Sequence, residues 1–251
     1  MANSLPVWSL TDFYDNIDSK QIRTDLKKWS DEAISLNQRY EGKIASLTSN
    51  ELGNLITRFE QIISALGKIS SHADLTFAAD TSNPKYAQHA QNMSEAINEV
   101  QSNLVFVELE LASMPEKRYL AVLEDESVAH YQPWLRLVRS AARYNLEPRL
   151  EKLIVEQSPT NRQAWTRLFD ETFSELRFDF NGEKLTETEI LNKFSKADPD
   201  IRAKAAASLS GVLTDNLRLF TLITNTLAKQ KDIEDRWRGY KGVISSRNLA
   251  N

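Results

Sequence analysis

The scarcity of glycine and proline constrains the fold of this chain more than any other feature of its sequence. Seven glycines and seven prolines stand among 251 residues, which is about half of their usual share of a protein sequence. Tight turns depend heavily on these two residues, so the chain has little material for many short connections. The sequence therefore predicts an all-α fold of long helices with few connections.

Apolar residues recur at spacings of three and four along the first 114 residues, as expected for amphipathic helices. One such stripe runs from Ile22 to Ile44, and a second from about Ser49 to Ala79. A third helix should open at Asn83-Pro84, an N-cap followed by proline in the first turn, and continue to about Ser113. We expect these segments to pack side by side as an N-terminal long-helix bundle over residues 1–114.

Residues 115–251 are predicted to be a second helical region with shorter helices and one small β-hairpin. Prolines at positions 115, 133, 148 and 159 interrupt the helical pattern. The hairpin is expected near residues 176–185, because LRFDF alternates in polarity and is followed by Asn-Gly, the strongest signal for a two-residue turn.

Helix starts in this second region are marked by two sequences that have the form of a capping box. They are Thr160–Gln163 and Thr186–Glu189. Asp198-Pro199 should start a further long helix, with apolar positions recurring from Ile201 to Leu227.

Charge and composition restrict the classes of partner. The net charge of −4 disfavours a polyanionic ligand. The chain has no cysteine, which fits a reducing compartment, and neither a signal peptide nor an apolar run long enough to span a bilayer is visible. The sequence thus predicts a soluble cytoplasmic protein without nucleic-acid or membrane partners.

Several local groups of residues have the composition of a catalytic or metal site. His72 could be an oriented base with Asp74 or Glu60 on the same helix, but an ordinary surface or hydrogen-bonded histidine is the favoured interpretation. Two acidic groups, Glu108 with Glu110 and residues 124–126, could be paired acids or metal ligands. Neighbouring helix positions do not face each other, so solvated faces are favoured. Ser127, Ser140 and Ser158 lie in no nucleophile-elbow pattern.

A cluster of basic and aromatic residues near the C-terminus is the most suggestive of these groups. Such a mixture can hold phosphates or stack bases, but Asp232, Glu234 and Asp235 interrupt it. A structural face is favoured, and a substrate-facing or domain-docking role remains open. The cluster comprises Lys229, Lys231, Arg236, Trp237, Arg238, Tyr240, Lys241 and Arg247.

Two tryptophan-centred groups are predicted to anchor the hydrophobic core. One is Trp165 with Leu168 and Phe169, and the other is Trp134 with Leu137 and Val138.

Five blocks of sequence together resemble one family, the oligoendopeptidase F-type zinc peptidases. The family's patterns W-x-L-x-x-x-Y, Y-x-G-K, S-x-T-x-x-x-A-W-x-x-L-x-x-E, D-x-x-x-R-x-x-A and R-x-Y … R-N occur here in the expected order. They correspond to Leu5–Tyr14, Tyr40–Lys43, Ser158–Glu171, Asp198–Leu213 and Asn225–Asn251. The segment Asn145–Arg149 departs from the family, which usually has an acidic helix start there.

The resemblance implies a mostly helical fold that encloses a channel in which oligopeptides are cleaved. It also implies zinc held by the two histidines of an H-E-x-x-H helix and by a downstream glutamate. Here the only histidines are His72, His89 and His130, and none is followed by glutamate. We therefore predict no catalytic, cofactor-binding or metal-binding residue in this chain, and no activity for it alone; in the family the zinc helix lies further along the sequence.

Two hypotheses follow for the function. In the first, the chain is the N-terminal region of a zinc oligopeptidase and forms a wall of the substrate channel, with a C-terminal catalytic domain as its partner. In the alternative, it is a free-standing helical interaction or scaffold protein that has lost catalysis. Exposed apolar surface should distinguish the two, because a region that docks onto a missing half leaves a large apolar patch.

Overall fold

The fold is all-α with one two-stranded hairpin, as predicted, in a computed structural model that describes residues 8–250. Leu5, Pro6 and Val7 of the first family-like block lie outside the described residues. The helices are α1 (Lys20–Tyr40), α2 (Ser49–Ala79), α3 (Pro84–Ser102), α4 (Val105–Ser113), α5 (Glu116–Leu123), α6 (Gln132–Ala141), α7 (Pro148–Gln157), α8 (Arg162–Glu175), α9 (Glu187–Lys193), α10 (Pro199–Asp215), α11 (Leu217–Arg238) and α12 (Ser245–Ala250). Short 3-10 turns cover Ile44–Ser46, Glu126–Tyr131, Ala142–Tyr144 and Ser158–Thr160.

Two of the three long helices predicted in the N-terminal half are confirmed as continuous elements. The stripe from Ile22 lies in α1, which ends at Tyr40, so Ile44 falls in the following 3-10 turn. Helix α2 has the predicted bounds. Its start is fixed by a capping box in which the Glu51 N–H donates to Thr48 Oγ1 at 3.3 Å and the Thr48 N–H donates to Glu51 Oε2 at 2.8 Å.

The other two predicted long helices are each interrupted at an asparagine. The segment from Pro84 to Ser113 breaks near Asn103, and the segment from Pro199 onward breaks at Asn216. In both cases the asparagine amide donates to the carbonyl four residues earlier, Asn103 to Glu99 at 3.0 Å and Asn216 to Val212 at 2.9 Å. Such local side-chain bonds compete with the backbone hydrogen bonds of the helix. The apolar periodicity continues across each break, so it does not predict where the helix ends.

Of the two predicted capping boxes, only the second forms. The Glu189 N–H donates to Thr186 Oγ1 at 3.4 Å and the Thr186 N–H donates to Glu189 Oε2 at 2.8 Å, which starts α9. The prediction at Thr160 is wrong, because α8 begins at Arg162 with Asn161 as its N-cap. The chain makes a 3-10 turn at Ser158–Thr160 first, and this turn shifts the helix start by one residue.

Contacts within the chain divide it into two compact units. The first unit consists of Met1–Pro159 and Trp237–Asn251, and the second of Thr160–Arg236. The domains predicted from the sequence, residues 1–114 and 115–251, are a different partition of the chain and stay a prediction.

The first unit has one large hydrophobic core built mainly by α1, α2, α3, α4 and α6. Helix α2 packs against α1 and α3, while α4 packs against α6 and α7. Fully buried members of this core include Ala33, Ile44, Leu52, Ile62, Leu66, Val107, Val122 and Val128. Gly53 lets α2 approach the 3-10 turn at Glu126–Tyr131, because a Cβ at this position would lie 2.9 Å from the Ser127 carbonyl oxygen.

The second unit has a much smaller core around the hairpin. Strands β1 (Phe178–Phe180) and β2 (Glu183–Leu185) pair antiparallel, with Phe178 opposite Leu185. The turn between them uses left-handed backbone at Asn181 (φ 54°) and Gly182 (φ 89°), as the Asn-Gly signal predicts. Phe178, Phe180, Leu185, Ile190 and Ala205 form the buried cluster.

The predicted core anchors are only partly confirmed. Trp134 packs against the large core beside Phe59, and Val138 is buried, but Leu137 is 52% exposed. The prediction fails for α8, which has no buried residue; Trp165 is half-buried, and Leu168 and Phe169 are exposed. Helical periodicity identifies an apolar face, but it does not say that another element of the same unit covers that face.

Candidate functional site

The proposed histidine–carboxylate base does not form. Asp74 accepts a hydrogen bond from the Ser70 hydroxyl at 2.9 Å, and Glu60 accepts one from the Tyr131 hydroxyl at 3.1 Å. His72 points away from both into the core, where it is only 2% exposed. His72 is therefore not a surface residue; it is hydrogen-bonded to the Tyr14 backbone, and its Nδ1 is buried without a hydrogen-bond partner.

His72 belongs to a cluster of rings formed by the first turn region, α2 and α3. Its ring lies edge-on to Tyr14 at 5.4 Å and to His89 at 6.1 Å between centroids. The Tyr14 hydroxyl donates to Asp25 Oδ2 at 3.1 Å. His89 also has a buried nitrogen, Nε2, without a partner. Sequence spacing gives no sign of this pair, since 17 residues and a helix break separate its members.

Burial sets the protonation of both imidazoles. Burial lowers the pKa of His72, the charge of His89 lowers it further, and a hydrogen bond to the Tyr14 backbone opposes this only in part. Burial also lowers the pKa of His89, against the opposing charge of Asp18. Both rings are therefore neutral near pH 7.

The acidic pair Glu108 and Glu110 does not form a two-carboxylate site. Glu110 instead accepts from the N–H of Gly42 at 2.6 Å and from the N–H of Ile44 at 3.1 Å. Gly42 has a φ of 77°, which favours glycine. The Y-x-G-K block is therefore a turn whose orphan amides are bound by a carboxylate 68 residues away.

The second acidic group and the serines also have structural roles. Asp125 accepts from the Ser127 N–H at 2.9 Å and caps the following 3-10 turn. These bonds from Ser127 lower the pKa of Asp125. The Ser140 hydroxyl donates to the Leu137 carbonyl at 2.7 Å, and Ser158 begins a 3-10 turn.

The C-terminal basic cluster is largely an ion-paired helix face. Lys229 and Arg236 both contact Asp232, at 2.7 and 3.4 Å, and Lys231 pairs with Asp235. These partners stand three or four positions apart on α11, where helical neighbours meet. Two of the three acidic residues that interrupt the cluster, Asp232 and Asp235, thus pair with it in space, whereas Glu234 accepts a hydrogen bond from Gln230 at 3.0 Å. This pairing supports the structural interpretation.

Arg238 differs from the rest of the cluster because it is half-buried and binds a residue of α7. Its guanidinium binds both carboxylate oxygens of Glu151, at 2.5 and 2.8 Å, and also donates to the Tyr144 carbonyl at 3.2 Å. Burial alone would raise the pKa of Glu151, but bonds from Arg238 and the Leu146 N–H outweigh it and hold that pKa below its usual range. Tyr240 stacks on Tyr144 at 4.0 Å.

The arginine of the R-x-Y motif therefore binds the end of α11 to α7, and its tyrosine stacks just before α7. This Arg238–Glu151 clasp joins positions 87 residues apart, so no local spacing could have predicted it. The acidic residue that pairs with Arg238 is Glu151, in the first turn of α7. It lies two residues after Asn145–Arg149, the segment that departs from the family pattern.

Two surface pockets lie within the units. One, of about 460 Å³, lies between the hairpin and α10 and carries Arg177, Lys184 and Lys204 beside Asp179 and Asp215. The other, of about 410 Å³, lies between α3 and the segment that leads into α1. Asp18, Arg23 and His89 are among its lining residues. Neither contains a nucleophile with its base. In residues 8–250, no three or more His, Cys, Asp or Glu side chains are grouped to hold a metal ion.

The second unit carries an exposed set of apolar side chains on α8 and α11, here called the aromatic face. Phe169 stacks on Phe173 at 5.3 Å, and both rings contact Phe220, at 5.5 and 5.8 Å. Leu168 beside them is 37% exposed and Phe169 is 39% exposed. Helix α11 also begins with Leu217, 60% exposed, one turn before Phe220.

None of the helices described in residues 8–250 combines the length and the apolar character needed to cross a membrane.

Comparison with known proteins agrees with the resemblance seen in the sequence. A family model described as Oligopeptidase F matches residues 110–178. This segment contains the Ser158–Glu171 block and the start of the hairpin; the other four blocks lie outside it. No curated protein sequence matches the chain.

Solved structures show where this fold occurs. Oligoendopeptidase-F from Enterococcus faecium superposes with a TM-score of 0.79 at 17% identity, over 92% of this chain and 47% of that chain. A putative peptidase from Chlamydophila abortus gives a TM-score of 0.54 at 17% identity, over 95% of this chain and 41% of that one. This chain thus spans less than half the length of either structure. It has the fold of the N-terminal portion of an oligoendopeptidase F-type protein, and the resemblance drawn from its sequence is confirmed.

Proposed function

We propose that this chain is the N-terminal region of an oligoendopeptidase F-like zinc metalloendopeptidase and that it forms one wall of the channel in which oligopeptides are cleaved. The observation that carries the proposal is the fold: almost the whole chain superposes on less than half of an oligoendopeptidase-F. The other half of such a protein would be its partner and would hold the catalytic groups.

The aromatic face supports this proposal over a free-standing scaffold. A polypeptide adapted to function alone would be expected to carry polar residues on α8 and at the start of α11. The stacked Phe169, Phe173 and Phe220 with exposed Leu168 and Leu217 are typical of a surface that another domain covers. We propose that the catalytic domain packs there.

Zinc has no place among the described residues. Three histidines are present, and the two that approach each other, His72 and His89, lack a third acidic or histidine ligand grouped with them. A catalytic zinc site takes three protein ligands and a water. We therefore derive no catalytic step from these residues and assign zinc binding and hydrolysis to the proposed catalytic domain. The cytoplasmic location and the lack of a nucleic-acid partner are parts of the same proposal.

Activity assays on two polypeptides test the proposal. The chain alone, and the chain joined to whatever reading frame follows the codon for Asn251, are assayed with an internally quenched oligopeptide in the presence of zinc. We expect turnover only from the joined protein, and none after both histidines of its H-E-x-x-H are replaced. Zinc-dependent turnover by the chain alone, or a following frame without that motif, would contradict the proposal.

The docking role of the aromatic face is tested separately. In the chain alone, Phe169→Asp should reduce self-association measured by sedimentation, because it places a charge on the exposed apolar surface. In the joined protein it should weaken the packing of the two halves and lower the turnover. Leu120→Asp is the matched control, since Leu120 on α5 is 51% exposed but lies in the other unit. Equal effects of the two variants would argue against a docking surface at Phe169.

A further inference from the structure

We propose that His72 and His89 form a proton-operated lock, which holds α3 and the segment at residues 8–19 against α2 while both imidazoles are neutral and releases them when the imidazoles are protonated. The lock concerns the first unit alone and does not depend on the proposed peptidase function.

The geometry of His72 makes it the centre of this lock. It is 2% exposed and lies on α2 between Tyr14, from the segment before α1, and His89, from α3. One side of its ring is bonded to the Tyr14 backbone, which leaves Nδ1 buried without a partner. A neutral imidazole needs only one donor bond, so the neutral ring is accommodated. A protonated ring would add a charged N–H with no acceptor, which is costly in a buried position.

His89 adds the second half of the lock. Its Nε2 is also buried without a partner, and its ring centre lies 6.1 Å from that of His72. If both rings carried a charge, they would repel each other across this distance in a region shielded from solvent. Separation of α3 from α2 would remove both the repulsion and the lack of acceptors.

The other charged groups around the pair do not cancel this effect. On the segment before α1, Asp18 favours protonation of His89. On α1, Asp25 is occupied by the Tyr14 hydroxyl, and Arg23 lines the pocket beside His89. Lys68 of α2 lies 4.8 Å from the centre of the Tyr14 ring. Lys85 of α3 lines the same pocket as Arg23. Arg23 and Lys85 share a pocket with His89, and Lys68 lies over the Tyr14 ring, so none of these cations favours protonation of the pair; Asp18 is the carboxylate that does.

The direction of the pH effect follows from proton linkage. Each histidine has a pKa of about 6.5 in the unfolded chain and a lower pKa in the fold. The stabilisation is therefore complete above about pH 6.5 and falls as the pH drops toward the folded pKa. For each histidine, one pH unit within this window changes the opening equilibrium by about tenfold. The pocket of about 410 Å³ is lined by His89 but not by His72, so solvent reaches the edge of the pair at His89 while His72 stays buried.

Nuclear magnetic resonance of the intact chain provides the first test. The chain has three histidines, so each ring signal can be assigned by single substitution and followed from pH 7.5 to 5. We expect the signals of His72 and His89 to titrate below pH 6.5, the value for an unperturbed histidine. Titration of His72 and His89 at or above pH 6.5 would overturn the proposal without any variant.

Hydrogen exchange, corrected for the intrinsic effect of pH, provides the second test. Between pH 7.5 and 5.5 we expect residues 8–19 and α3 to lose at least about tenfold of their protection, while α4 and α6 keep theirs. His72→Phe with His89→Phe should abolish this loss, because phenylalanine keeps an aromatic ring and cannot be protonated. His130→Phe is the control and should retain it. A wild-type chain without the loss, or a double variant that keeps it, would refute the lock.

Discussion

The two units of this chain are both helical, but they are stabilised in different ways. In the first unit, side chains bind backbone groups far away in the sequence: Asn37 binds the Asn103 carbonyl, Arg118 the Leu47 carbonyl, and Arg139 the carbonyls of Ala112 and Met114. In the second unit, Arg177, Arg202 and Asn216 bind carbonyls within six residues of themselves.

The hydrophobic cores differ in the same sense. The core of the first unit draws on helices from α1 to α6, whereas that of the second is a five-residue cluster beside the hairpin. Helix α8 buries no residue; Phe169 on the aromatic face is exposed, and Phe173 and Phe220 are half-buried. The first unit thus has the larger core, while the second leaves part of an aromatic cluster uncovered.

The largest expected effect comes from removing the central side chain of the small core. Phe178 is fully buried, so Phe178→Ala should cost about 3–5 kcal/mol. With so small a cluster, hydrogen exchange should show residues 160–236 losing protection while α2 and α4 keep it. Phe169→Ala is the control in the same unit and should cost clearly less because that ring is partly exposed. Equal loss of protection in both units would show that they do not differ as described.

Breaking the Arg238–Glu151 clasp should have the next largest effect. Glu151→Gln leaves the half-buried guanidinium of Arg238 without its countercharge, so we expect a loss of about 2–3 kcal/mol in the free energy of unfolding, measured by urea titration at pH 7. Glu156→Gln is the matched control on the same helix, because Glu156 forms an exposed pair with Lys152 at 3.9 Å and should change stability by less than about 1 kcal/mol. If the two variants had similar stability, the clasp would not stabilise the first unit.

Alanine substitutions at two glycines of α2 should have intermediate effects on stability, and the two effects should be opposite in sign. Gly53→Ala would place Cβ 2.9 Å from the Ser127 carbonyl oxygen, so we expect destabilisation by about 1–3 kcal/mol. At Gly67 nothing lies within 4 Å of the added Cβ, and alanine should stabilise by about 0.5–1 kcal/mol through helix propensity. Thermal unfolding distinguishes the two signs, and stabilisation by Gly53→Ala would show that α2 does not approach the 3-10 turn closely.

The smallest effects should come from the two capping boxes, one in each unit. Thr48→Ala and Thr186→Ala each remove an N-cap acceptor and should cost about 1 kcal/mol. Hydrogen exchange should place the first loss in the opening turns of α2 and the second in α9 and the hairpin beside it. If Thr186→Ala spread its loss over the whole chain, the second unit would not unfold independently.

Features that depend on composition or on near neighbours could be predicted from the order of residues alone. The few glycines and prolines in the whole chain predicted the helical fold, Asn181-Gly182 predicted the hairpin, and Thr186 with Glu189 predicted the start of α9. The last two signals each act over four residues or fewer, so no knowledge of the packing is needed to recognise them. The family resemblance could also be recognised in the sequence, because its blocks are short and occur in order.

Features that join distant positions could not be predicted in this way, because they depend on how the elements pack. The carboxylate of Glu110 at the Gly42 turn, the clasp between Glu151 and Arg238, and the facing rings of His72 and His89 each link separate elements. The packing also determines which apolar faces are covered: Val138 is buried and Phe169 is not. A helix pattern specifies which side of a helix is apolar, but burial depends on the other elements that reach it, and these are set by the packing of the whole unit.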